Sequence, residues 1–462
     1  MPQPNIIFIL LDDLGWRDLT CYGSTFYETP NLDRLATAGM QFTNAYAACP
    51  VCSPTRASLL TGKYPATLGL TDWIDWGIAC HPRKGRLVDV PYIKQMPLSE
   101  HCLARALQKG GYATWHVGKW HLGTKGFYPT DHGFDVNIGG CEWGAPTNGY
   151  WSPWHLPTLP DAAPGTYLTD HLTDKAIELI RQHASSVKPF FLNLWHHAVH
   201  TPIQAPPALV KKYEAKAQRL GLDKQQALET GEPMPYVNSD NRHIIRRLIQ
   251  SDPVYAAMIE NLDTNIGRLL AVVPENTIVI FTSDNGGLAT AEGSPTTNRP
   301  LAEGKGWMYE GGTREPFLVK WPGVTQPGAI SAVPITSPDL YPTILEMAGF
   351  PPLPQQHVDG TSFAPVLRGA TQHSRAPLFW HYPHYGNQGG TPGSSIRQGD
   401  WKLIEFFEDG RLELFNLRDD IGEEHNLAAT QPVVTRRLHE QLVAWRNSIE
   451  AKIPQCNPDW KE

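Results

Sequence analysis

Continuous apolar runs alternate with amphipathic segments over the first two thirds of the chain. Residues 6–11 form an apolar run that ends at Asp12 and Asp13, as in a strand that is buried on both faces. Similar runs span residues 113–117, 190–195 and 277–281, and segments with helical periodicity lie between them: residues 32–38, a helix that Ser99 caps, residues 169–180 and residues 255–270. The order predicts an α/β fold, a large and mostly parallel sheet sandwiched by helices.

The pattern changes after residue 335. A helix over residues 339–348 is followed by short strands at 395–404, 405–407 and 411–415, with a turn at Asp409-Gly410, and by a helix over 434–449. We therefore predict a larger α/β domain over residues 1–335 and a smaller C-terminal α+β subdomain over 336–462, with an antiparallel sheet and a helix. Polar residues 206–252 are predicted to be a helix-prone surface insertion.

Composition narrows the class of protein. The net charge of −7 argues against a nucleic-acid binder with a general basic surface. The apolar runs are too short for a membrane span or a signal peptide, so we predict a cytoplasmic protein, or a periplasmic or secreted one if a signal has been removed. The seven cysteines lack the dense spacing of a disulfide scaffold, and we interpret most of them as buried thiols.

Cys52 lies at the predicted start of a helix. Pro54 suits the first helical turn and Gly62 suits the C-terminal cap, so the unpaired N–H groups at this end favour an anion, with Arg56 on the same face. Two other interpretations exist. Cys49 and Cys52 form a C-x-x-C pair that could be a redox motif or half of a zinc site, or Cys52 could be an ordinary buried thiol.

Oxygen-bearing side chains follow two of the predicted strands. Asp12 and Asp13 come after the first strand, and Asp284 and Asn285 come after residues 277–281. Because parallel strands end at the same edge of a sheet, these oxygens predict a site for a hard cation, calcium rather than zinc. Each pair taken alone could equally be a turn.

The motif Cys52-Ser-Pro-Thr-Arg56, followed by Leu-Thr-Gly, resembles the C-x-P-[ST]-R…L-T-G signature of type I, formylglycine-dependent sulfatases. This is the arylsulfatase family of the alkaline phosphatase superfamily. Further matches are a G-K-W-H-L-G motif at residues 118–123, an H-x-P motif that begins at His200, and a K-x-x-x-x-E-G-G-x-R-x-P block that begins at Lys305. The resemblance implies an alkaline-phosphatase-like fold and the oxidation of Cys52 to formylglycine by a formylglycine-generating enzyme.

The resemblance also implies roles for individual residues. Calcium ligands would be Asp12, Asp13, Asp284, Asn285 and the modified Cys52. Sulfate would be bound by Arg56, Lys119 and Lys305. His121 would take a proton from the formylglycine hydroxyl, and His200 would protonate the leaving alcohol. Lys119 and His121 would project to one side if the backbone is extended, and Glu310 and Arg314 are interpreted as a structural ion pair.

The implied reaction is hydrolysis of an organic sulfate monoester through a sulfo-enzyme intermediate. The alternatives are a phosphonate monoester or phosphodiester hydrolase of the same superfamily, and an inert sulfate-ester binder if Cys52 is never oxidised. Residues 133–140 and 71–74 resemble bacterial sulfatases that act on sulfated sugars, some of them on 4-O-sulfated galactose or N-acetylgalactosamine. Five loop tryptophans could stack on a sugar or pack the loops: Trp73, Trp76, Trp143, Trp151 and Trp154.

Overall fold

The computed structural model describes residues 3–76, 83–236 and 242–460. The strands are β1 (Asn5–Leu11), β2 (Met40–Tyr46), β3 (Leu87–Val88), β4 (Ala113–Gly118), β5 (Val136–Ile138), β6 (Phe190–Trp195), β7 (Leu228–Pro233), β8 (His243–Arg247), β9 (Thr277–Ser283), β10 (Arg314–Lys320), β11 (Ala329–Ser331), β12 (Ile335–Thr336), β13 (Leu378–Tyr382), β14 (Gly393–Gln398), β15 (Trp401–Phe406), β16 (Leu412–Asn416) and β17 (Gln455–Cys456). The helices are α1 (Pro30–Ala38), α2 (Cys52–Thr61), α3 (Pro65–Leu68), α4 (Leu103–Lys109), α5 (Leu168–Gln182), α6 (Pro207–Arg219), α7 (Pro253–Leu270), α8 (Glu310–Thr313), α9 (Leu340–Met347), α10 (Ala364–Leu367) and α11 (Pro432–Ser448).

One large sheet forms the centre of the molecule. Its strand order is β11-β2-β10-β9-β1-β6-β4-β5, and β12 pairs with β2. Strand β1 lies between β9 and β6 and runs parallel to both, so that Ile7 faces Val279 on one side and Leu192 on the other. Strand β10 is antiparallel to both of its neighbours. The sheet is thus mostly parallel, and the predicted fold class is confirmed.

Helices cover both faces of this sheet. The side chains of β1 alternate between two cores: Ile7 and Ile9 pack in the core that includes residues of α1, α5, α6 and α7, whereas Ile6 and Phe8 pack in the core that includes residues of α2, α4 and α9. Because both faces of the strand are buried, its sequence is a continuous apolar run without alternation. None of the helices in the described ranges combines the length and apolarity that crossing a bilayer requires.

A second, antiparallel sheet follows in the order β13-β14-β15-β16, and α11 packs on it through Leu438 and Leu442. The predicted C-terminal sheet and helix are confirmed in outline, with two corrections. The segment 395–404 is not one strand, because the chain turns at Gly399, where φ is 61°, between β14 and β15. Strand β13 was not predicted. The domain boundary at residue 335 stays a prediction.

Two further local predictions are wrong. Ser99 is not the cap of α4, because that helix begins at Leu103 after Cys102, and Ser99 lies in a turn in which the Glu100 N–H donates to the Pro97 carbonyl at 3.1 Å. Among the described residues of the range 206–252, α6 is the one α-helix, and a short 3-10 helix (Leu222–Lys224) follows it. The rest of this segment includes the antiparallel hairpin β7–β8, and Tyr213 of α6 is fully buried in the core, so the segment is more than a surface insertion.

Candidate active site

The carboxyl ends of β1 and β9 bring four oxygen-bearing side chains together. These two strands pair in register up to Leu11 and Ser283, so the residues that follow them are neighbours. The Asn285 Nδ2 donates to Asp13 Oδ1 at 2.8 Å, and the Asp13 N–H donates to Asp284 Oδ1 at 3.3 Å. Asp12 lies beside Asp13, and all four side chains are buried. The prediction that both pairs leave the sheet at one edge is confirmed.

The loop after β1 is held in place by hydrogen bonds to Asp18, a residue that was not predicted from the sequence. The Asp18 Oδ2 accepts hydrogen bonds from the Gly15 N–H at 2.8 Å and the Tyr255 hydroxyl at 2.7 Å. That hydroxyl also lies 3.3 Å from the Asp13 carbonyl oxygen, and Asp13 itself has a left-handed φ of 62°. Burial raises the pKa of Asp18 to about 6. These contacts hold Asp13 in a conformation that L-residues rarely adopt.

Cys52 is the first residue of α2 and is buried. The Thr55 hydroxyl oxygen accepts from the Cys49 N–H at 3.2 Å and donates to the Cys49 carbonyl at 3.0 Å, which shapes the turn into the helix. The helix ends at Gly62 with a φ of 69°, as its sequence predicts. Burial raises the pKa of the Cys52 thiol to about 12, so at neutral pH it is not a thiolate.

Each acidic side chain of the centre has a buried cationic partner. The pairs are Arg56 with Asp284 at 2.7 Å, Lys119 with Asp12 at 2.6 Å, and Lys305 with Asp13 at 2.8 Å. Three positive charges thus balance three negative ones, and the centre is close to neutral. A divalent cation bound here would leave an excess of positive charge, which an anionic substrate could compensate.

The two predicted catalytic histidines lie at this centre. His200 Nε2 is 3.6 Å from Asp13 Oδ2, and His121 lines the same pocket as Cys52. The backbone is not extended at His121, where φ is 59°, so the condition under which Lys119 and His121 would project to one side is not met. His121 Nε2 lies 2.7 Å from the Ile74 carbonyl oxygen. Since that oxygen only accepts, Nε2 carries the proton, and Nδ1 of the neutral imidazole is an acceptor.

The donor set fits a hard cation. Ligand atoms of Asp12, Asp13, Cys52 and His200 lie within 4.8 Å of one another. The buried oxygens Asp12 Oδ1 and Asn285 Oδ1 have no hydrogen-bond partner among the described residues. Carboxylate and amide oxygens are preferred calcium ligands, whereas the soft thiol of Cys52 is not. Cys49 is not part of this group, so the geometry gives no support to a C-x-x-C zinc site.

The loop that carries Lys305 is anchored by a buried ionic cluster. The Glu310 carboxylate contacts Arg314 Nη1 at 3.3 Å and Lys402 Nζ at 3.0 Å, and it accepts a hydrogen bond from the Tyr46 hydroxyl at 2.6 Å. Lys402, from β15, also contacts Glu423 at 2.9 Å. The predicted ion pair between Glu310 and Arg314 is confirmed. It belongs to a larger cluster that joins the C-terminal sheet to the active-site loop.

A pocket of about 1030 Å³ contains Cys52, His121, His200 and Lys305 in its walls. Arg56 and Lys119 do not line it, and both side chains are fully buried. Most of the polar residues of its walls were not predicted from the sequence: Arg83, Lys84, Glu142, Tyr236, Arg242, Glu292, Asn387 and Gln388. These residues come from separate loops, and no motif or spacing in the sequence connects them.

The five tryptophans considered for sugar stacking divide into two groups. Trp73, Trp76 and Trp143 line the pocket. Trp154 is fully buried, and the ring of Trp151 packs against Tyr167 at a centroid distance of 4.9 Å. Stacking on a substrate stays a prediction for the first three, and the other two pack the loops.

Comparison with known proteins decides the family. The sulfatase family model matches residues 4–350, and a model described as the C-terminal region of N-sulphoglucosamine sulphohydrolase matches residues 303–448. The chain belongs to the sulfatase family. The resemblance seen in the sequence is thereby confirmed, and the protein is a sulfuric ester hydrolase that acts on sulfate esters.

Relatives of this sulfatase match it over most of its length. A sulfatase from Formosa agariphila is 33% identical, over 96% of this chain and 88% of the relative. Human N-acetylgalactosamine-6-sulfatase is 32% identical, over 82% of this chain and 69% of the relative. The crystal structure of Ps i-CgsB in complex with k-i-k-neocarrahexaose shares 26% identity and a TM-score of 0.76, with 99% of this chain and 94% of that chain covered.

Proposed function

We propose that this sulfatase hydrolyses a sulfate monoester on a carbohydrate of the galactose or N-acetylgalactosamine type, with calcium bound and with Cys52 oxidised to formylglycine. The observation that carries the proposal is the charge-balanced centre of Asp12, Asp13 and Asp284. It is buried beside Cys52, which lines a pocket together with three tryptophans. The relatives support a sugar substrate, since one is named for N-acetylgalactosamine 6-sulfate and one was crystallised with a neocarrahexaose.

The cation would be held by Asp12, Asp13, Asp284, Asn285 and residue 52. When present, calcium supplies charge stabilisation to the sulfate oxygens, and formylglycine, made by a formylglycine-generating enzyme, supplies an oxygen nucleophile in place of the thiol. Asp12 Oδ1 and Asn285 Oδ1, which accept no hydrogen bond from the described residues, support this ligand set. The Asp284 carboxylate is held by Arg56, which would orient it.

The cations would act on the sulfate in two ways. Lys305 lines the pocket and is placed to donate to a sulfate oxygen once a divalent cation shares the charge of Asp13. Arg56 and Lys119 are buried next to the carboxylates, and their contribution to sulfate binding would be made through their charge. The fixed positive charges of these side chains would replace water around the sulfate, and they would not have to reorient during the reaction.

The histidines divide the proton transfers. His200 lines the pocket, and its Nδ1 lies 2.8 Å from the Thr201 carbonyl, so Nε2 is the atom that can donate to the leaving alcohol once it is protonated. Burial, together with the charge of Lys305, lowers the pKa of His200 to about 4. A bound sulfate anion would favour the protonated form. His121 would accept a proton at Nδ1, which is buried and has no partner among the described residues.

The reaction class is tested by comparing kcat/KM for 4-nitrophenyl sulfate with that for a matched phosphodiester and a phosphonate monoester. We expect the sulfate ester to be the best of the three, because the family match is to sulfatases. The sugar class is tested with position-defined sulfated monosaccharides and glycosaminoglycan disaccharides. A much better phosphodiester would contradict the reaction class, and turnover of the aryl sulfate alone would contradict the sugar class.

Calcium is expected to stabilise the folded protein. At a calcium concentration about 100 times the dissociation constant, binding adds about 2.7 kcal/mol to the free energy of unfolding. We therefore expect the melting temperature of chelator-treated protein to rise when calcium is added, and to rise less with magnesium, because magnesium demands stricter octahedral geometry. Thermal unfolding checks this without any assay of activity.

Two asparagine variants sharpen that experiment. Asn285→Ala removes one of the unpartnered oxygens of the centre and is expected to reduce the calcium-dependent rise. Asn298→Ala is the matched control. The Asn298 Oδ1 is also buried without a hydrogen-bond partner among the described residues. Its Nδ2, however, donates to the backbone carbonyls of Gly287 and Glu303, whereas the Asn285 Nδ2 donates to the Asp13 carboxylate. An unchanged rise in Asn285→Ala would remove Asn285 from the ligand set.

A further inference from the structure

Glu292 places a carboxylate in the wall of a pocket that otherwise receives an anion. The residue is exposed, and it lines the same pocket as His200 and Lys305. Its φ is 53°, in the left-handed region that an L-residue with a long side chain rarely adopts. A negative charge near a sulfate site disfavours the sulfate ester by repulsion. A hydrogen bond from an uncharged group of the substrate would offset that cost.

The carboxylate is held in one place by side chains from two other segments. Asn387 Nδ2 and Gln388 Nε2 both donate to Glu292 Oε1 at 2.9 Å. The Thr201 hydroxyl lies 3.3 Å from Glu292 Oε2 and also 3.3 Å from His200 Nδ1. A single hydroxyl thus joins the carboxylate to the histidine that is proposed to protonate the leaving alcohol.

The same contacts fix Glu292 relative to the sulfate-binding loop. Gln388 is buried, and its carbonyl oxygen accepts from the Thr290 hydroxyl at 2.8 Å and from Trp307 Nε1 at 3.1 Å. A Cβ added to Gly306, the residue after Lys305, would lie 2.5 Å from Gln388 Oε1, so the two segments are in close contact. The carboxylate of Glu292 and the ammonium of Lys305 are therefore positioned by one packed unit.

Glu292 retains the capacity to accept another hydrogen bond. An ionised carboxylate has about four acceptor positions, and it has no donor. Three are used by Asn387, Gln388 and Thr201, the last of them at a long distance. The free acceptor position is on Oε2, the oxygen that the Thr201 hydroxyl connects to His200. A group that fits there must be a hydrogen-bond donor without negative charge.

We propose that Glu292 determines specificity by accepting a hydrogen bond from a sugar hydroxyl near the scissile sulfate, and by excluding substrates that carry a second sulfate in its place. This inference rests on the proposed carbohydrate sulfatase function. A hydrogen bond to a charged acceptor is stronger than one between two neutral groups, and an anion in the same position is repelled by the carboxylate. The enzyme would thus discriminate between monosulfated and disulfated sugars.

A purely structural role is the competing explanation, since Glu292 joins the loop before Lys305 to the segment with Asn387 and Gln388. The variant Glu292→Gln distinguishes a structural role of Glu292 from the proposed role in specificity. Its amide oxygen can keep the bonds from Asn387 and Gln388, and its amide nitrogen can donate to the Thr201 hydroxyl. The variant therefore retains the connection between the segments but loses the charge and the acceptor on the Oε2 side.

The experiment uses the mature holoenzyme with N-acetylgalactosamine 4-sulfate, 6-sulfate and 4,6-disulfate. Each kcat/KM is divided by the kcat/KM of the same variant for 4-nitrophenyl sulfate, so that a general loss of activity cancels. For the unmodified enzyme we expect the better monosulfate to exceed the disulfate by about 10- to 100-fold, which corresponds to the loss of a hydrogen bond to a charged group. In Glu292→Gln this ratio is expected to fall by about tenfold.

Glu142→Gln is the matched control, because Glu142 lines the same pocket but accepts its hydrogen bond from the Tyr128 hydroxyl at 2.7 Å. It is expected to leave the ratio of monosulfate to disulfate as in the unmodified enzyme. The inference is overturned if Glu292→Gln does not change the ratio, if Glu142→Gln changes it equally, or if the unmodified enzyme prefers the disulfate. If the unmodified enzyme hydrolyses the aryl sulfate but no sugar sulfate, the carbohydrate proposal itself is wrong.

Discussion

Replacing Cys52 with alanine is expected to lower kcat/KM for 4-nitrophenyl sulfate by about 10⁴- to 10⁶-fold, the range seen when the nucleophile of a catalytic unit is removed. The physical reason is that Cys52 lines the pocket and is proposed to supply the attacking atom. The two hydroxyls of the same helical turn are engaged elsewhere, since Ser53 Oγ accepts from the Ile74 N–H at 3.2 Å and the Thr55 hydroxyl bonds to the backbone of Cys49. Steady-state kinetics measure the loss, and intact-protein mass before substitution reports whether residue 52 is a thiol or an aldehyde.

Cys49→Ala is the control that separates this mechanism from C-x-x-C chemistry. Cys49 is buried like Cys52 but lies outside the group of candidate metal ligands. We expect Cys49→Ala to keep most of the activity. Its free energy of unfolding is expected to fall slightly, because a buried side chain is shortened. Equal losses in both variants would favour the redox or zinc interpretation of the pair. Retained turnover in Cys52→Ala would exclude residue 52 as the nucleophile.

Replacing Lys402 with methionine is expected to lower the free energy of unfolding by about 3–5 kcal/mol. Lys402 contacts the carboxylates of Glu310 and Glu423, and all three side chains are fully buried. Without the ammonium group, the two carboxylates face each other with less compensation in a medium of low polarity. Urea unfolding, followed by a spectroscopic signal, measures the change.

Lys212→Met is the matched control for that variant. Lys212 also contacts two glutamates, Glu28 and Glu260, each at 2.6 Å, but its side chain is 41% exposed. Its removal is expected to cost only about 0–1 kcal/mol, because water solvates the carboxylates that remain. Similar effects of the two substitutions would contradict the importance of burial in the Glu310 cluster.

The Lys402→Met effect is also expected to depend on pH. Burial already raises the pKa of Glu423 to about 7. Removing Lys402 raises the pKa of this carboxyl further, so the folded variant binds protons that the unfolded chain has released above about pH 4–5. Its stability therefore falls as pH rises, and the difference from the unmodified protein is expected to be smaller near pH 5 than near pH 8. Unfolding measured at both pH values checks the sign.

The sequence by itself determined the elements whose side chains are buried on every face. Strands β1, β6 and β9 are buried on both faces, so their apolar runs identify them without knowledge of their neighbours. The start of α2 at Cys52 follows from local helix chemistry. Asp12 and Asp284 could be expected to meet because each follows a parallel strand at the same sheet edge.

Only the tertiary structure decided which groups contact each other across long chain separations. Arg56 could have paired with any carboxylate of the centre, and packing places it on Asp284. The left-handed backbone at His121 does not follow from periodicity, and its ring contacts the carbonyl oxygen of Ile74 from another segment. Glu292 reaches the pocket because loops far apart in sequence pack together around Gly306 and Gln388. Sequence motifs identify residues by local chemistry, whereas the set of residues that lines the pocket depends on long-range packing, which a one-dimensional pattern does not show.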